Sequence, residues 1–159
     1  MSNVKYPIVV FHNVTGASRC SEFVKIASGM GYKTLIITNA QGSAAQKGLP
    51  TAQRLALQNG LNFMTLGNIT DVKELFQPDM ILLVVPPPYG SENLTSETLK
   101  ELEGKRWIVV FGGNDPGLSK KDLELGDKVL QVPAGDLGSI GMLTLGLALL
   151  TGKFRFGKE

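Results

Sequence analysis

Four short runs in this chain are rich in β-branched and aliphatic residues and show no polar alternation: PIVVFH (Pro7 to His12), KTLIIT (Lys33 to Thr38), MILLVV (Met80 to Val85) and WIVVF (Trp107 to Phe111). A strand with one wet face alternates apolar and polar residues. A strand covered on both faces does not, and such strands belong to parallel sheets sandwiched by helices. Asn62 to Leu66 and Lys128 to Val132 predict two more strands. Helical spacing of apolar residues predicts helices over Ser21 to Met30, Thr51 to Asn59, Asp71 to Phe76, Ser96 to Leu102 and Ser139 to Leu150. Asn39 to Gly48 and Pro86 to Gly90 read as loops. The expected fold class is α/β: a parallel sheet with helices on both faces, in a single domain spanning residues 1–159.

Composition narrows the functional classes. Hydrophobic residues make up 43% and charged residues 19% of the chain, a balance that supports a packed core rather than disorder. The formal charge is +2, with no basic tail or block, so charge by itself does not point to nucleic acid. One cysteine, Cys20, allows no intrachain disulfide, and no run approaches a membrane span. The expectation is a cytoplasmic chain with no membrane association. Cys20 follows Arg19 near a helix start, which could lower its pKa; a small buried residue is the plainer reading.

Glycine accounts for 19 of the 159 residues, and its placement is informative. Three predicted strand ends run into turn-rich segments: His12 to Arg19, Phe111 to Ser119 and Val132 to Gly141. In an open α/β sheet, ligands bind at the carboxyl ends of strands. The first turn holds only Gly16, so no G-x-G-x-x-G fingerprint is present, and no P-loop occurs. His12, the sole histidine, has no Cys or His companion for zinc, and no G-x-S-x-G elbow supports a Ser-His-Asp hydrolase. Asp115, Asp122, Glu124, Asp127 and Asp136 are numerous enough for a metal nuclease, although solvated turns and helix faces account for them too.

Taken in order, these segments resemble the SpoU-like branch of the SPOUT RNA methyltransferases. Asn13 and Arg19 stand at the spacing of that family's first motif. Phe111-Gly112-Gly113-Asn114-Asp115-Pro116-Gly117-Leu118-Ser119 follows its second, and Val132-Pro133 with Ser139-Ile140-Gly141-Met142-Leu143 its third. The resemblance covers essentially the whole chain. Asn114 stands where the family carries Glu, and Gly113 and Gly141 where it carries Asn. It implies a deep trefoil knot near the carboxyl terminus, with the loop Pro86 to Ser91 covering the last segment. It also implies S-adenosyl-L-methionine as cofactor, a tRNA or rRNA substrate, a homodimer, and methyl transfer to a ribose 2′-hydroxyl. Catalytic roles fall to Arg19, Asn13 and Ser139. Cofactor contacts fall to Phe111, Gly112, Gly113, Val132, Pro133, Gly135, Leu137, Ser139 and Ile140; no metal is expected.

The leading expectation is therefore an S-adenosylmethionine-dependent RNA methyltransferase. A knotted RNA-binding protein without catalysis is the second reading, motivated by Asn114 and Gly141. The third is a metal-dependent nuclease or nucleotide-binding enzyme on a doubly wound sheet, motivated by the acidic turns.

Overall fold

A computed structural model describes residues 4–114 and 117–154. Seven strands form one sheet in the order β3-β2-β1-β6-β4-β7-β5, every pairing parallel. They are β1 (Ile8–His12), β2 (Thr34–Thr38), β3 (Asn62–Leu66), β4 (Met80–Val85), β5 (Glu92–Asn93), β6 (Trp107–Gly112) and β7 (Lys128–Gln131). The helices are α1 (Ala17–Gly29), α2 (Leu49–Gln58), α3 (Ile69–Phe76), α4 (Ser96–Leu102), α5 (Lys120–Leu123) and α6 (Gly138–Leu150). The parallel α/β architecture expected from the apolar runs is present.

Burial explains why those runs lack alternation. Every residue of β1 and β2 is buried, so both faces of each strand are covered. Val9, Phe11, Leu35 and Ile37 point to a core shared with α1, α2 and α6, while Ile8, Val10 and Ile36 point to a second core under α3. Each such side chain contributes about 1.5–3 kcal/mol of burial. Gly146 lets α6 lie directly on the sheet: a Cβ there would stand 2.6 Å from the Phe111 ring.

Several boundaries differ from the sequence reading, α2 among them, which begins at Leu49 rather than Thr51. α1 begins at Ala17, four positions before Ser21, because its first turn is polar and escapes the apolar periodicity. A π-helical turn at Ala44–Gly48 replaces part of the expected loop, packed so that a Gly48 Cβ would meet Cys20 Sγ at 2.6 Å. α3 starts at Ile69, held by an Asn68/Asp71 capping box. β5 and α5 carry two and four residues, too short for periodicity to reveal. Cys20 is fully buried, and burial pushes its thiol pKa up, so it is a packing residue. Among the described residues no helix is long and apolar enough to cross a membrane.

The topology places the site. β1, β2 and β3 step outward in one direction, β4 begins the other half, and β6 inserts between β1 and β4. The carboxyl ends of β1 and β6 meet at His12 and Gly112, and those of β4 and β7 at Val85 and Gln131. The turn-rich segments therefore gather at one end of the sheet, at its switch point.

Candidate functional site

Two backbone bonds tie the strand ends together. Gly113 N–H donates to His12 O at 2.7 Å, and Asn13 N–H donates to Thr38 O at 2.9 Å. Asn13 turns the chain with φ 65°, and its Oδ1 accepts from Asn39 Nδ2 at 3.3 Å. Arg19 lies in the first turn of α1. Its Nη1 donates to Gly113 O at 2.8 Å and also to Ser139 Oγ, in the first turn of α6. One guanidinium thus links the three segments picked out by glycine. Thr15 Oγ1 adds a bond to Asn114 Oδ1 at 3.0 Å.

Beside this cluster lies a hollow of about 460 Å³, within the range of small-ligand clefts. Val84 and Val85 of β4, Leu118, Leu123 of α5 and Met142 of α6 give it apolar walls. Its polar lining includes Asn114 and Ser139, with Lys120 the one cation and Asp136 the one carboxylate among the described lining residues. Asp136 Oδ1 accepts from Gly138 N–H at 2.9 Å, which bends the chain into α6 where Gly138 holds φ +75°.

Of the expected cofactor residues, Gly112 and Ser139 line the hollow. Phe111 and Val132 are core residues, exposed 1% and 2%. Pro133, Gly135 and Leu137 are exposed, and Ile140 packs half-buried against the core; none of these lines the hollow as it stands. The glycines also divide. A Cβ at Gly113 would strike Val14 Cγ2 at 2.6 Å, one at Gly112 would strike Gly117 Cα at 2.6 Å, and one at Gly141 would strike Leu137 Cβ at 2.6 Å. Those three serve internal packing. Only open space surrounds Gly135 and Gly138.

A second polar centre went unread in the sequence. His12 Nδ1 lies 2.7 Å from Thr38 Oγ1, and its Nε2 lies 3.6 Å from Asp122 Oδ2. Burial holds the imidazole pKa below its ordinary value, and Asp122 pulls it partway back. The arrangement has the members of a hydroxyl–His–carboxylate triad, yet Thr38 is fully buried, so no substrate reaches its hydroxyl. The signal was available in part: His12 and Thr38 are directly paired at the last rung of β1 and β2.

The carboxylates considered for a metal centre are spent singly. Asp122 caps α5 through Ser119 N–H and faces His12, and Asp127 Oδ2 accepts from Ile81 N–H at 2.7 Å. Glu124 closes α5 on the surface, and Asp115 lies outside the described residues. Nucleases that use metal ions hold them between clustered ligands. Among the described residues no group of three or more His, Cys, Asp or Glu is placed to hold an ion, so they do not build such a centre.

Comparison with known proteins separates fold from chemistry. The chain resembles in structure the SpoU methyltransferase AviRb of Streptomyces viridochromogenes, solved with AdoMet: TM-score 0.68 at 15% identity, covering 91% of this chain and 55% of that one. At that identity the likeness shows a shared, SPOUT-like fold, and the chain spans about half the length of that enzyme. Sequence relatives point elsewhere. MjaORF1200P of Methanocaldococcus jannaschii, named as a candidate type II restriction enzyme, is 31% identical over 84% of this chain and 90% of its own. ApeKORF2002P of Aeropyrum pernix, named likewise, is 37% identical over 72% of each chain. These findings overturn the expectation of an S-adenosylmethionine-dependent RNA methyltransferase: the resemblance captured the fold, while the family model and the sequence relatives carry nuclease names. With the RecB-family nuclease (DUF2122) profile matching residues 42–149 and these relatives spanning most of the chain, the protein belongs to the RecB-family nuclease (DUF2122) family.

Proposed function

We propose that this protein is a nuclease that seats one nucleotide of a polynucleotide in the hollow and hydrolyses the adjoining phosphodiester. The observation that carries the reading is the convergence of Lys120, Asp136 and the Arg19–Ser139 pair on a single apolar hollow at the sheet switch point. In hydrolysis the oxygen of water attacks phosphorus, the bond to the leaving oxygen breaks, a base takes the proton of the water, and the leaving oxygen takes a proton from solvent to become a hydroxyl. Lys120 and Arg19 supply positive charge for the phosphate as charge shifts toward the leaving oxygen. Asp136 is the carboxylate in this lining that can take the proton. No step is routed through a metal, because the described residues do not form a site for one.

S-adenosylmethionine enters this reading as a nucleoside-bearing ligand that competes for the hollow. The knotted threading is also proposed: segment 132–138 passes beneath the loop 86–91, which is fastened to β7 by Ser91 N–H donating to Val129 O at 2.9 Å. A crystallographic chain trace running outside that loop would remove the knot. A homodimer is proposed through α6, where Ile140, Thr144, Leu145 and Ala148 form a half-buried stripe continuing from exposed Leu137. Sedimentation showing a monomer at micromolar concentration removes the dimer.

The test of the function is end-labelled single-stranded and duplex DNA and RNA incubated with the purified protein, with and without magnesium. Cleavage of at least one substrate is expected, reduced about a hundredfold in Asp136→Asn. Absence of product from every substrate overturns the nuclease reading, and binding without cleavage would establish a nucleic-acid-binding module instead.

A further inference from the structure

We infer that the hollow is a slot for one unpaired nucleobase, closed on one side by the ring of Tyr89, so that the protein engages single-stranded or splayed polynucleotide in preference to duplex. The inference rests on the proposed nucleic-acid function and specifies the substrate form. Tyr89 is 69% exposed, and among the large exposed hydrophobic side chains of the described residues it is the one that lines the hollow. Its backbone is nevertheless pinned. Tyr89 N–H donates to Pro86 O at 3.1 Å, and Gly90 N–H donates to Gln131 Oε1 at 3.2 Å. A Cβ at Gly90 would strike Gln131 at 2.9 Å, which holds the turn tight against β7. An exposed aromatic ring on an anchored turn, lining the same hollow as Leu118, Leu123 and Met142, offers a stacking surface to a flat partner.

The chemistry of the lining fits a base better than other flat ligands. A nucleobase has apolar faces and a polar edge, and this hollow has apolar walls with Asn114, Asp136 and Ser139 along its polar side. Lys120 adds one positive charge for the attached phosphate. Shape argues against duplex. Proteins read double-stranded DNA by laying a convex element, a helix or β-ribbon, into a groove about 12 Å wide. The site here is concave, and a base paired inside a duplex cannot enter it without leaving its stack. Charge agrees: duplex binders commonly neutralise about 6–10 phosphates, whereas this lining offers Lys120, with Arg19 behind Ser139.

The experiment measures binding, separately from cleavage. Fluorescein-labelled 12-nucleotide single strands of DNA and of RNA, and the blunt duplex of each, are titrated in anisotropy against wild type, Tyr89→Phe and Tyr89→Ala at fixed salt. Single strands are expected to bind at least about tenfold more tightly than duplex, Tyr89→Phe to match wild type, and Tyr89→Ala to lose about tenfold on single strands. The two single-strand arms decide between DNA and RNA as the source of the base. Duplex binding as tight as single-strand binding, unchanged affinity in Tyr89→Ala, or no binding of any strand overturns the slot. Cleavage of duplex with the slot disproved would leave the nuclease reading standing; single-strand binding without product would do the reverse.

Discussion

Two polar centres sit at the same end of the sheet, on opposite faces, and they are built from similar parts. On the α1/α6 face, Arg19 reaches Gly113 O and Ser139 Oγ beside an open hollow that α5 also walls, through Lys120 and Leu123. On the other face, His12 lies between Thr38 and Asp122 of α5, exposed only 6%. By residue type the second centre is the more suggestive of catalysis. Access reverses that ranking. A buried histidine with both ring nitrogens facing polar partners fixes strands and helix to one another, while a half-exposed guanidinium beside a cavity can meet a phosphate.

The largest expected effect follows from burial. His12→Ala should destabilise the fold by about 3 kcal/mol, since it opens a cavity and leaves Thr38 Oγ1 without its ring partner. Arg19→Ala, at a half-exposed position, should cost under about 1 kcal/mol. Urea unfolding of both variants makes the comparison. Equal losses would show that Arg19 is as structural as His12.

The next effect exchanges the roles. Arg19→Ala should weaken polynucleotide binding by about 2 kcal/mol, the scale of hydrogen bonds made by a charged group. Arg19→Lys should recover only part of it, because an ammonium lacks the planar fork. His12→Gln, kept folded by its own amide bonds, should bind within about twofold of wild type, under about 0.5 kcal/mol. Anisotropy titration at fixed salt reads all three, and a large loss in His12→Gln would place the second centre in the site.

How much of this could be read beforehand follows physical range. β1, β2, β4 and β6 were legible because burial on both faces erases alternation, a property of each strand alone. α1 was found but started late, since Gly16 supplies no side-chain cap and Arg19 sits in a polar first turn. β5 exists only through its pairing with β7, and no local pattern could announce it. The resemblance named Arg19 and Ser139 together, but their hydrogen bond joins residues 120 positions apart, a contact that only the folded chain displays. The space limit at Gly113 is set by tertiary packing, since a Cβ there would strike Val14 nearly a hundred residues away, and no local pattern carries that need. His12 and Asp122 are far apart in the chain, so their meeting depended on α5, a helix of four residues. The function was misread for a related reason, since a fold is shared widely while chemistry belongs to the side chains placed on it.

The smallest effect concerns acidity and bears only on the buried centre. Burial keeps the His12 pKa below its unfolded value of 6.5, so the unfolded chain binds this proton first as pH falls. The stabilisation is whole at neutral pH. It declines as pH drops below 6.5 toward the folded pKa, with a slope of at most about 1.4 kcal/mol per pH unit for one proton. Below the folded value the slope from this group vanishes. Asp122 raises the folded pKa, so Asp122→Asn should lower it further and carry the decline to more acidic pH. Asparagine can still accept the Ser119 N–H, so the cap on α5 survives and neutral-pH stability should change by under about 1 kcal/mol. The check is urea unfolding from pH 7.5 to 4.5 for wild type, Asp122→Asn and the non-titrating His12→Gln. Subtracting the His12→Gln curve isolates this residue from the surface carboxylates. A flat difference between wild type and His12→Gln across that range would mean that His12 titrates as freely folded as unfolded, and the contrast between the two centres would rest on access alone.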